Sequence, residues 1–221
     1  MNDRDAAWVA RSLDLLRDID PEWIESYSRM TIDPWLSGAL SAKEIALINV
    51  ALSATITNLN DAALRRNIAS ALRAGATQGE ILEVLKMAAL LTFQSMGLGA
   101  PILIEEARAA GKMFGPSVET ELDPTWTDAF VEARSGLYTN QVLTPKLVEL
   151  IGIALDAAVT HMYAPGVRRH IRAALALEAA PEEIMTVLKL CVSQGADALH
   201  LAVPILAEEA AAFSSGASPN A

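Results

Sequence analysis

One short segment in the second half of this chain holds most of the side chains that could move protons or bind an anion. It contains His161, Tyr163 and His170, and the adjacent pair Arg168 and Arg169. A histidine transfers protons near neutral pH, and a guanidinium group binds a carboxylate through two parallel hydrogen bonds. These residue types predict acid–base chemistry on a small carboxylated molecule, carried out without a cofactor.

The backbone around these side chains adds a second feature that suits an anion. Pro165 and Gly166 predict the start of a helix, where unpaired backbone N–H groups and the helix dipole favour negative charge. We expect Arg168 or Arg169 to hold a substrate carboxylate, while His170, about one and a half turns into the helix, adds or removes a proton at carbon. Decarboxylation, isomerisation and retro-aldol cleavage all fit this arrangement.

The third histidine, His200, falls among apolar residues in the predicted last helix. We predict that it joins Arg168 and Arg169 in binding the substrate, and that the catalytic residues are His161, Tyr163 and His170. Structural alternatives stay open. The arginines could bind helix carbonyl groups or glutamates, and the histidines could be interior hydrogen-bonding or helix-capping residues. No spacing among the His, Cys and Asp residues matches a dedicated metal-ligand pattern, so no metal is expected.

The chain is built from two copies of one unit. Shifting the sequence by 103 residues aligns 40–107 with 143–210 without a gap, and about 25 of the roughly 68 aligned pairs are identical. An Asp-Pro dipeptide at position 20 recurs at position 123, so the repeat extends upstream. We therefore predict two domains, 1–112 and 113–221, that pack face to face as one pseudo-symmetric body.

Helix-capping signals mark the elements within each copy. Ser41-x-x-Glu44 and Thr77-x-x-Glu80 have the form of a capping box, and Thr144 is a natural N-cap followed by proline. Between these signals the chain is rich in alanine and leucine, which favours helices over strands. The fold class that follows is all-α, with two tandem helical bundles.

Three further boundaries of the helices are predicted by local sequence. The long buried helix of the first copy is expected to end near Leu59, and the following helix to stop at Gly75. Pro101 and its counterpart Pro204 predict a kink or a break in the fourth helical stretch of each copy.

Composition narrows the class of protein. The net charge of −10 argues against a nucleic-acid-binding surface. The charged N-terminus does not resemble a signal peptide, and no stretch of about 18 uninterrupted apolar residues predicts a membrane span. The single cysteine, Cys191, excludes an internal disulfide framework. We expect a cytoplasmic protein.

The second copy contains a series of motifs that resembles a known superfamily. Leu-Thr-Pro-Lys and a long apolar helix are followed by Arg-His-Ile-Arg-Ala-Ala-Leu and then by Ala-Ala-Pro-Glu-Glu-Ile-Met-Thr-Val-Leu. This pattern resembles the carboxymuconolactone decarboxylase and alkyl hydroperoxidase D superfamily, and 67–85 of the first copy looks like the same signature. The resemblance implies an alkyl hydroperoxidase D-like bundle. Because such units assemble as trimers or hexamers, two units per chain imply a homotrimer with pseudo-hexameric symmetry.

The chain departs from the peroxidase branch of that superfamily. The branch uses a Cys-x-x-Cys-x-x-x-His motif, in which a thiolate attacks the peroxide and a second thiol resolves it. His170 matches the histidine of the motif, but Tyr163 and Gly166 occupy the cysteine positions. Cys191 lies far along the chain, so dithiol peroxidase chemistry is nearly excluded.

The two copies differ where chemistry is expected. In place of His161, Tyr163, His170 and His200 the first copy has Asn58, Asn60, Asn67 and Gly97. We therefore predict one functional pocket per chain, lined by the second copy and closed by the first.

The function predicted from these observations is that of a cofactor-independent lyase, similar to carboxymuconolactone decarboxylase, acting on a small carboxylated or lactone-type intermediate of aromatic catabolism. Two alternatives remain open. A lactone hydrolase or isomerase could use the same pocket. A non-catalytic assembly or ligand-binding protein would retain the fold alone.

Overall fold

The computed structural model describes residues 3–112, 124–139 and 141–214. Within these ranges the regular elements are all helical, as the sequence predicts, and no strand is present. The helices are α1 (Asp3–Ile19), α2 (Pro21–Leu36), α3 (Ala42–Ser53), α4 (Asp61–Arg73), α5 (Gln78–Leu90), a 3-10 turn (Leu91–Phe93), α6 (Gln94–Ala109), α7 (Pro124–Thr139), α8 (Pro145–Ala157), α9 (Ala164–Ala176), α10 (Pro181–Ser193) and α11 (Gly195–Ser214). Two features predicted from the sequence concern the stretch between residues 112 and 124, which is outside the described residues. Asp123 lies in that stretch, and the predicted domain boundary after residue 112 adjoins it.

Two buried helices, α3 and α8, form the centre of the molecule. They are equivalent elements of the two copies and pack against each other, each flanked by the two helices that follow it in its own copy. Ile48 of α3 and Ile151 of α8 are completely buried. Burial on nearly all sides explains why both helices are apolar around most of their circumference.

The predicted helix starts are confirmed. The Ser41 and Thr77 side chains accept hydrogen bonds from the backbone N–H groups of Glu44 and Glu80, whose carboxylates complete both capping boxes. Gly75 follows α4 with φ +87°, a left-handed conformation that ends a helix with little strain only at glycine.

One predicted helix end is wrong, and one of two alternatives predicted at the prolines is excluded. Helix α3 ends at Ser53 rather than near Leu59, because the side chains of Thr55 and Asn58 donate hydrogen bonds to the carbonyl of Leu52 and replace a further helical turn. The break that was one alternative at Pro101 and Pro204 is absent, because α6 and α11 run through these prolines. A kink, the other alternative at an interior proline, stays a prediction.

The two copies exchange their leading helices. Helix α2 packs against α10 of the second copy, and α7 packs in the equivalent way against α5 of the first. Thr57 and Thr160, which are equivalent residues, meet with their Oγ1 atoms 2.5 Å apart. A contact between equivalent residues places them at an approximate two-fold axis, so the halves form one intertwined pseudo-symmetric body.

Both copies leave an apolar helix face exposed. Among the described residues, two helical stretches, Gln78–Ala109 and Pro181–Ser214, are long and apolar enough to cross a membrane by length and composition alone. Only 17% and 22% of their most apolar windows are buried. Exposed residues recur there at equivalent positions of α6 and α11: Leu98 and Leu201, Ile102 and Ile205, and Leu103 and Leu206.

Candidate functional site

A cavity of about 310 Å³ lies between the two copies. The first copy contributes the end of α5, the 3-10 turn and the start of α6, and the second contributes α7, α8 and α9. Volumes of this order suit a small-molecule ligand. Its polar wall consists of Gln94, Arg134, Asp156, Tyr163, Arg169 and His170, and its apolar wall includes Met87, Leu90, Phe93, Phe130, Leu137 and Leu155.

His170 is held in one orientation by a buried glutamate. Its Nδ1 lies 2.6 Å from Oε2 of Glu149, which projects from α8. Because a carboxylate only accepts hydrogen bonds, Nδ1 carries the proton of that bond. The other ring nitrogen, Nε2, accepts a hydrogen bond from Nη2 of Arg169 at 3.2 Å. Both ring nitrogens are therefore paired within the protein, and the imidazole lines the cavity between a carboxylate and a guanidinium group.

Asp156 is the second buried carboxylate of the site. Its side chain is only 2% exposed, and its Oδ1 accepts a hydrogen bond from Nε2 of Gln94. Its Oδ2 has no hydrogen-bond partner among the described residues. That atom lies 3.5 Å from Nε2 of His170 and 3.8 Å from Nη2 of Arg169. Asp156 also lies against the first turn of α9, where the helix dipole favours negative charge.

Gln94 connects the first copy to this polar cluster. Its Nε2 donates to Asp156, and its Oε1 accepts a hydrogen bond from Nε2 of His161. His161 therefore stands behind Gln94 and does not line the cavity itself. Tyr163 precedes α9, and its backbone N–H donates to the carbonyl of Asp156 at 2.8 Å, which fixes the loop beside the carboxylate.

Two glycines make room for the cluster. A Cβ atom on Gly152 would lie 2.6 Å from Nδ1 of His170, and one on Gly166 would lie 1.9 Å from Oδ2 of Asp156. No relaxed side chain tolerates such distances, so a larger residue would displace the imidazole or the carboxylate. The glycines are thus part of the site as much as the charged groups are.

Two aromatic rings form part of the apolar wall of the cavity. Phe93, from the 3-10 turn of the first copy, stacks on Phe130 of α7 with ring centroids 3.6 Å apart and planes 8° apart. Trp126 extends the stack, with its centroid 5.7 Å from that of Phe93. A flat apolar surface of this kind packs against a planar or hydrocarbon ligand.

The equivalent place in the first copy is built differently. Asn67, at the position of His170, donates to Oγ of Ser53 at 2.6 Å and to the carbonyl of Asn49 at 3.3 Å. Ser53 is the counterpart of Asp156, and Asn49 of Gly152. The arginine of this copy, Arg66, pairs with Asp197 at 2.8 Å. The polar groups at this place of the first copy thus form hydrogen bonds with one another.

Two of the predicted site residues lie away from the cavity. Arg168 lines a separate, open groove on the outer side of α9, together with Arg172. His200 belongs to the equivalent place of the first copy, where its Nδ1 lies 2.7 Å from Oγ of Ser12. Burial lowers the pKa of His200, Arg66 lowers it further, and Asp197 opposes them. The structure thus brings together His170, Tyr163 and Arg169, and joins His161 through Gln94.

Glu149, Asp156 and Gln94 belong to the site but were not assigned to it from the sequence. The two acids occur within an otherwise apolar helix, where the first copy has Ala46 and Ser53. A comparison of the two copies could have identified these acids as candidate site residues, because charged residues replace small ones on a buried helix. Gln94 gives no such signal, because it reaches the site from the other copy.

The single thiol is unsuited to nucleophilic chemistry. Cys191 is buried, and desolvation raises its pKa to about 12. Its Sγ donates a weak hydrogen bond to the carbonyl of Ala154 at 3.6 Å. In the described part of the chain, no group of three or more His, Cys, Asp and Glu residues is arranged to hold a metal ion.

Comparison with known proteins identifies the family. The model of the carboxymuconolactone decarboxylase family matches two segments, 21–95 and 124–208, one in each copy. The chain belongs to the carboxymuconolactone decarboxylase family. This assignment confirms the resemblance found in the sequence and agrees with an all-α tandem bundle.

A solved structure extends this relationship to almost the whole chain. It is a protein of Burkholderia xenovorans LB400 described as a "putative gamma-carboxymuconolactone decarboxylase subunit". The two are 30% identical, with a TM-score of 0.83 over 96% of this chain and 98% of the other. The comparison with curated proteins finds no match. These relatives support a decarboxylase-like family for this chain and leave the reaction to be argued from its own residues.

Proposed function

We propose that this member of the carboxymuconolactone decarboxylase family is a cofactor-independent lyase that decarboxylates a small carboxylated or lactone-type molecule, with His170 as the acid–base residue. The observation that carries the proposal is the buried Glu149–His170 pair, whose imidazole lines the cavity with Nε2 paired to Arg169. Burying such a polar group is costly unless it is fully paired, and the first copy keeps only an amide there.

The proposed reaction has two steps at one carbon. The bond to the carboxyl carbon breaks with release of CO₂, and its electron pair moves into the adjacent carbonyl or lactone system as an enolate. His170 takes a proton from solvent water at Nε2 and delivers it to the carbon that lost CO₂. Glu149 stabilises the imidazolium through Nδ1. The guanidinium of Arg169 stabilises the enolate oxygen electrostatically.

The cavity wall supports a substrate that is partly apolar and carries an anionic group. The stacked rings of Phe93 and Phe130 offer a flat apolar surface, and Arg134 and Arg169 also line the cavity. In an acidic chain of net charge −10, these two arginines supply local attraction for a carboxylate.

We propose in addition that the chain acts as a homotrimer with pseudo-hexameric symmetry. The support is the set of apolar residues exposed at equivalent positions of α6 and α11, which would give a trimer six equivalent surfaces to bury. Light scattering after gel filtration in detergent-free buffer should give the mass of three chains. A monomer mass, or a requirement for detergent, would contradict this proposal.

The enzymatic proposal is tested by a thermal-shift screen of lactones, β-keto acids and aromatic acids on wild type and His170→Ala. A ligand that binds only the folded protein raises the unfolding midpoint by mass action. We expect at least one carboxylated compound to stabilise the wild type and to lose most of this effect in the variant. The compounds that bind are then assayed for CO₂ release.

Each outcome of that screen selects among the possible functions. Binding followed by CO₂ release supports the lyase, whereas ring opening or isomerisation without CO₂ would assign the pocket to a hydrolase or isomerase. Binding that is unchanged in His170→Ala would move the site elsewhere. No binding by any carboxylate or lactone would contradict the enzymatic proposal and favour an assembly role.

A further inference from the structure

The protein leaves one buried hydrogen-bond acceptor of the cavity unfilled. Asp156 is almost completely buried, and while its Oδ1 receives a hydrogen bond from Gln94, its Oδ2 has no partner among the described residues. A buried carboxylate oxygen without a donor is costly. The copy-one counterpart, Ser53, avoids that cost by accepting a hydrogen bond from Asn67. A carboxylate retained here is therefore expected to receive a donor when the cavity is occupied.

The geometry around Oδ2 indicates where that donor would lie. Nε2 of His170 and Nη2 of Arg169 are 3.5 Å and 3.8 Å from it, so neither closes a good hydrogen bond. Asp156, Arg169 and His170 line the same cavity, and Gly166 leaves Oδ2 no free space on its own side. Oδ2 has almost no accessible surface while the cavity is empty, so a ligand oxygen contacts it, beside Nε2, only where the neighbouring side chains move aside.

Given the proposed function, which makes this cavity the substrate site, we propose that Asp156 Oδ2 accepts a hydrogen bond from an O–H group of the substrate. The substrate class is then a hydroxyl- or enol-bearing apolar carboxylic acid. A ketone or ether oxygen at the same place would face the carboxylate with lone pairs, and a site built for a hydroxyl discriminates strongly against analogues that leave its polar group unpaired. Asp156 becomes the residue that determines specificity.

Gln94 gives this proposal a sharp test, because it fixes which oxygen of residue 156 is used internally. In Asp156→Asn the donor Nε2 of Gln94 selects the amide oxygen, so the new NH₂ group takes the place of Oδ2. The cavity then presents a donor instead of an acceptor. In the double variant Gln94→Glu with Asp156→Asn, the carboxylate introduced at position 94 accepts from that NH₂ group. The amide oxygen then faces the cavity again, with the net charge of the wild type.

The measurement is calorimetric binding of benzoate, the three hydroxybenzoates and their methoxy analogues. The ratio of dissociation constants for each methoxy and hydroxy pair is used, because removal of the Asp156 charge changes the affinity for all carboxylates alike. In the wild type we expect at least one hydroxy isomer to bind about 10- to 100-fold more tightly than its methoxy analogue and than benzoate. Asp156→Asn should bring this ratio near one, and the double variant should restore it.

Asp156→Ser serves as a second deletion, since serine is the residue of the other copy and its hydroxyl is too short to reach the Oδ2 position. It should also abolish the preference, whereas Ser53→Ala, outside the cavity, should keep it. Benzoates that bind without discrimination, or a preference that survives in both single variants, would overturn the assignment of Asp156 and leave the lyase proposal intact. Failure of every benzoate to bind the wild type would contradict both the carboxylate pocket and this inference.

Discussion

The two copies share a scaffold but differ at five positions that change together and that are buried in the second copy. Where the first copy has Ala46, Asn49, Ser53, Ala63 and Asn67, the second has Glu149, Gly152, Asp156, Gly166 and His170. Each charged group of the second copy either pairs with another or occupies the space that a glycine leaves. The five residues therefore form one unit. A histidine at position 67 would lack the space that Gly152 provides for His170, and a glycine without the histidine would leave a cavity.

The contrast extends to the residues that cross between the copies. In the second copy, Arg169 lies near its own carboxylate, Asp156, while the first copy supplies only the neutral Gln94. In the first copy, Arg66 instead receives a carboxylate from the other copy, Asp197. The site of the second copy therefore has charged groups beside an open cavity, whereas the equivalent place of the first copy contains an ion pair between the two copies.

The largest expected effect comes from removing the imidazole. His170→Ala should lower kcat/KM on the substrate found by the ligand screen by about 10³-fold, a typical contribution of a general acid–base residue. Asn67→Ala, the matched change in the first copy, should stay within about twofold. Circular dichroism and the thermal midpoint report whether each variant folds, and His170→Gln, which keeps a polar side chain, serves if the alanine variant does not. Equal losses at the two positions would contradict the assignment of one functional pocket.

A glycine substitution should give the next largest effect and tests whether the site is packed as one unit. Alanine normally stabilises a helix relative to glycine by up to about 1 kcal/mol. In Gly166→Ala, however, the new methyl group would meet Oδ2 of Asp156 at 1.9 Å, so we expect destabilisation by about 1–3 kcal/mol and a loss of activity. Chemical denaturation measures the change in the free energy of unfolding.

Gly99→Ala is the control, because a Cβ on this helical glycine of α6 meets nothing within 4 Å. It should be neutral or stabilising. If Gly166→Ala were as stable and active as wild type, the backbone of α9 would have to stand farther from Asp156 than the structure has it.

A smaller effect is expected at the site of the first copy. Ser12→Ala removes the hydroxyl that pairs with Nδ1 of His200, which should lower the free energy of unfolding by about 1 kcal/mol. Activity should remain within about twofold, and His200→Ala should retain it as well, because neither residue lines the cavity. A strong loss of turnover in His200→Ala would return this histidine to the active site, as predicted from the sequence.

His200 also predicts a dependence on pH. Its folded-state pKa lies below the ordinary value, chiefly through burial, so the folded protein disfavours the imidazolium. The stability that depends on a neutral His200 is complete above the unfolded-state pKa of about 6.5 and is lost as the pH falls through the folded-state value. Unfolding curves of wild type and His200→Ala between pH 7 and 5 should therefore converge toward the acid side.

The scaffold could be predicted from sequence because its signals are local. A capping box such as Ser41 to Glu44 spans one helical turn, and the tandem repeat needs only the chain itself. The site was predictable only in part. His170, Tyr163 and Arg169 lie in one short segment, but the choice between Arg168 and Arg169 required knowing the helix face, since successive residues of a helix point about 100° apart.

Other parts of the site depend on tertiary contacts that a local pattern does not contain. Gln94 reaches Asp156 across 62 residues of sequence, and Phe93 meets Phe130 only because α7 packs against the opposite copy. Glu149 lies in an apolar helix whose pattern predicts only core packing, so the sequence does not assign this residue to the site. The exchange of α2 and α7 between the halves likewise depends on how the two copies pack together.

The smallest expected effect concerns a lysine–glutamate ion pair that both copies contain. Lys43 pairs with Glu80 at 2.8 Å, and Lys146 pairs with Glu183 at 2.7 Å, each glutamate also capping a helix. Although desolvation raises the pKa of each carboxyl group, the hydrogen bonds from the lysine and the backbone outweigh it and leave the pKa below the ordinary value.

A lowered folded-state pKa means that this stability is present above the unfolded-state pKa of about 4.3 and is lost as the pH falls through the folded-state value. Glu80→Gln and Glu183→Gln should each lower the free energy of unfolding at pH 7 by about 1 kcal/mol and approach the wild type near pH 3. The two variants should agree within about 0.5 kcal/mol, because distant equivalent sites act independently. A large difference between them would mean that the copies diverge in their scaffold as well as in their sites, and the comparison of His170 with Asn67 would lose its matched background.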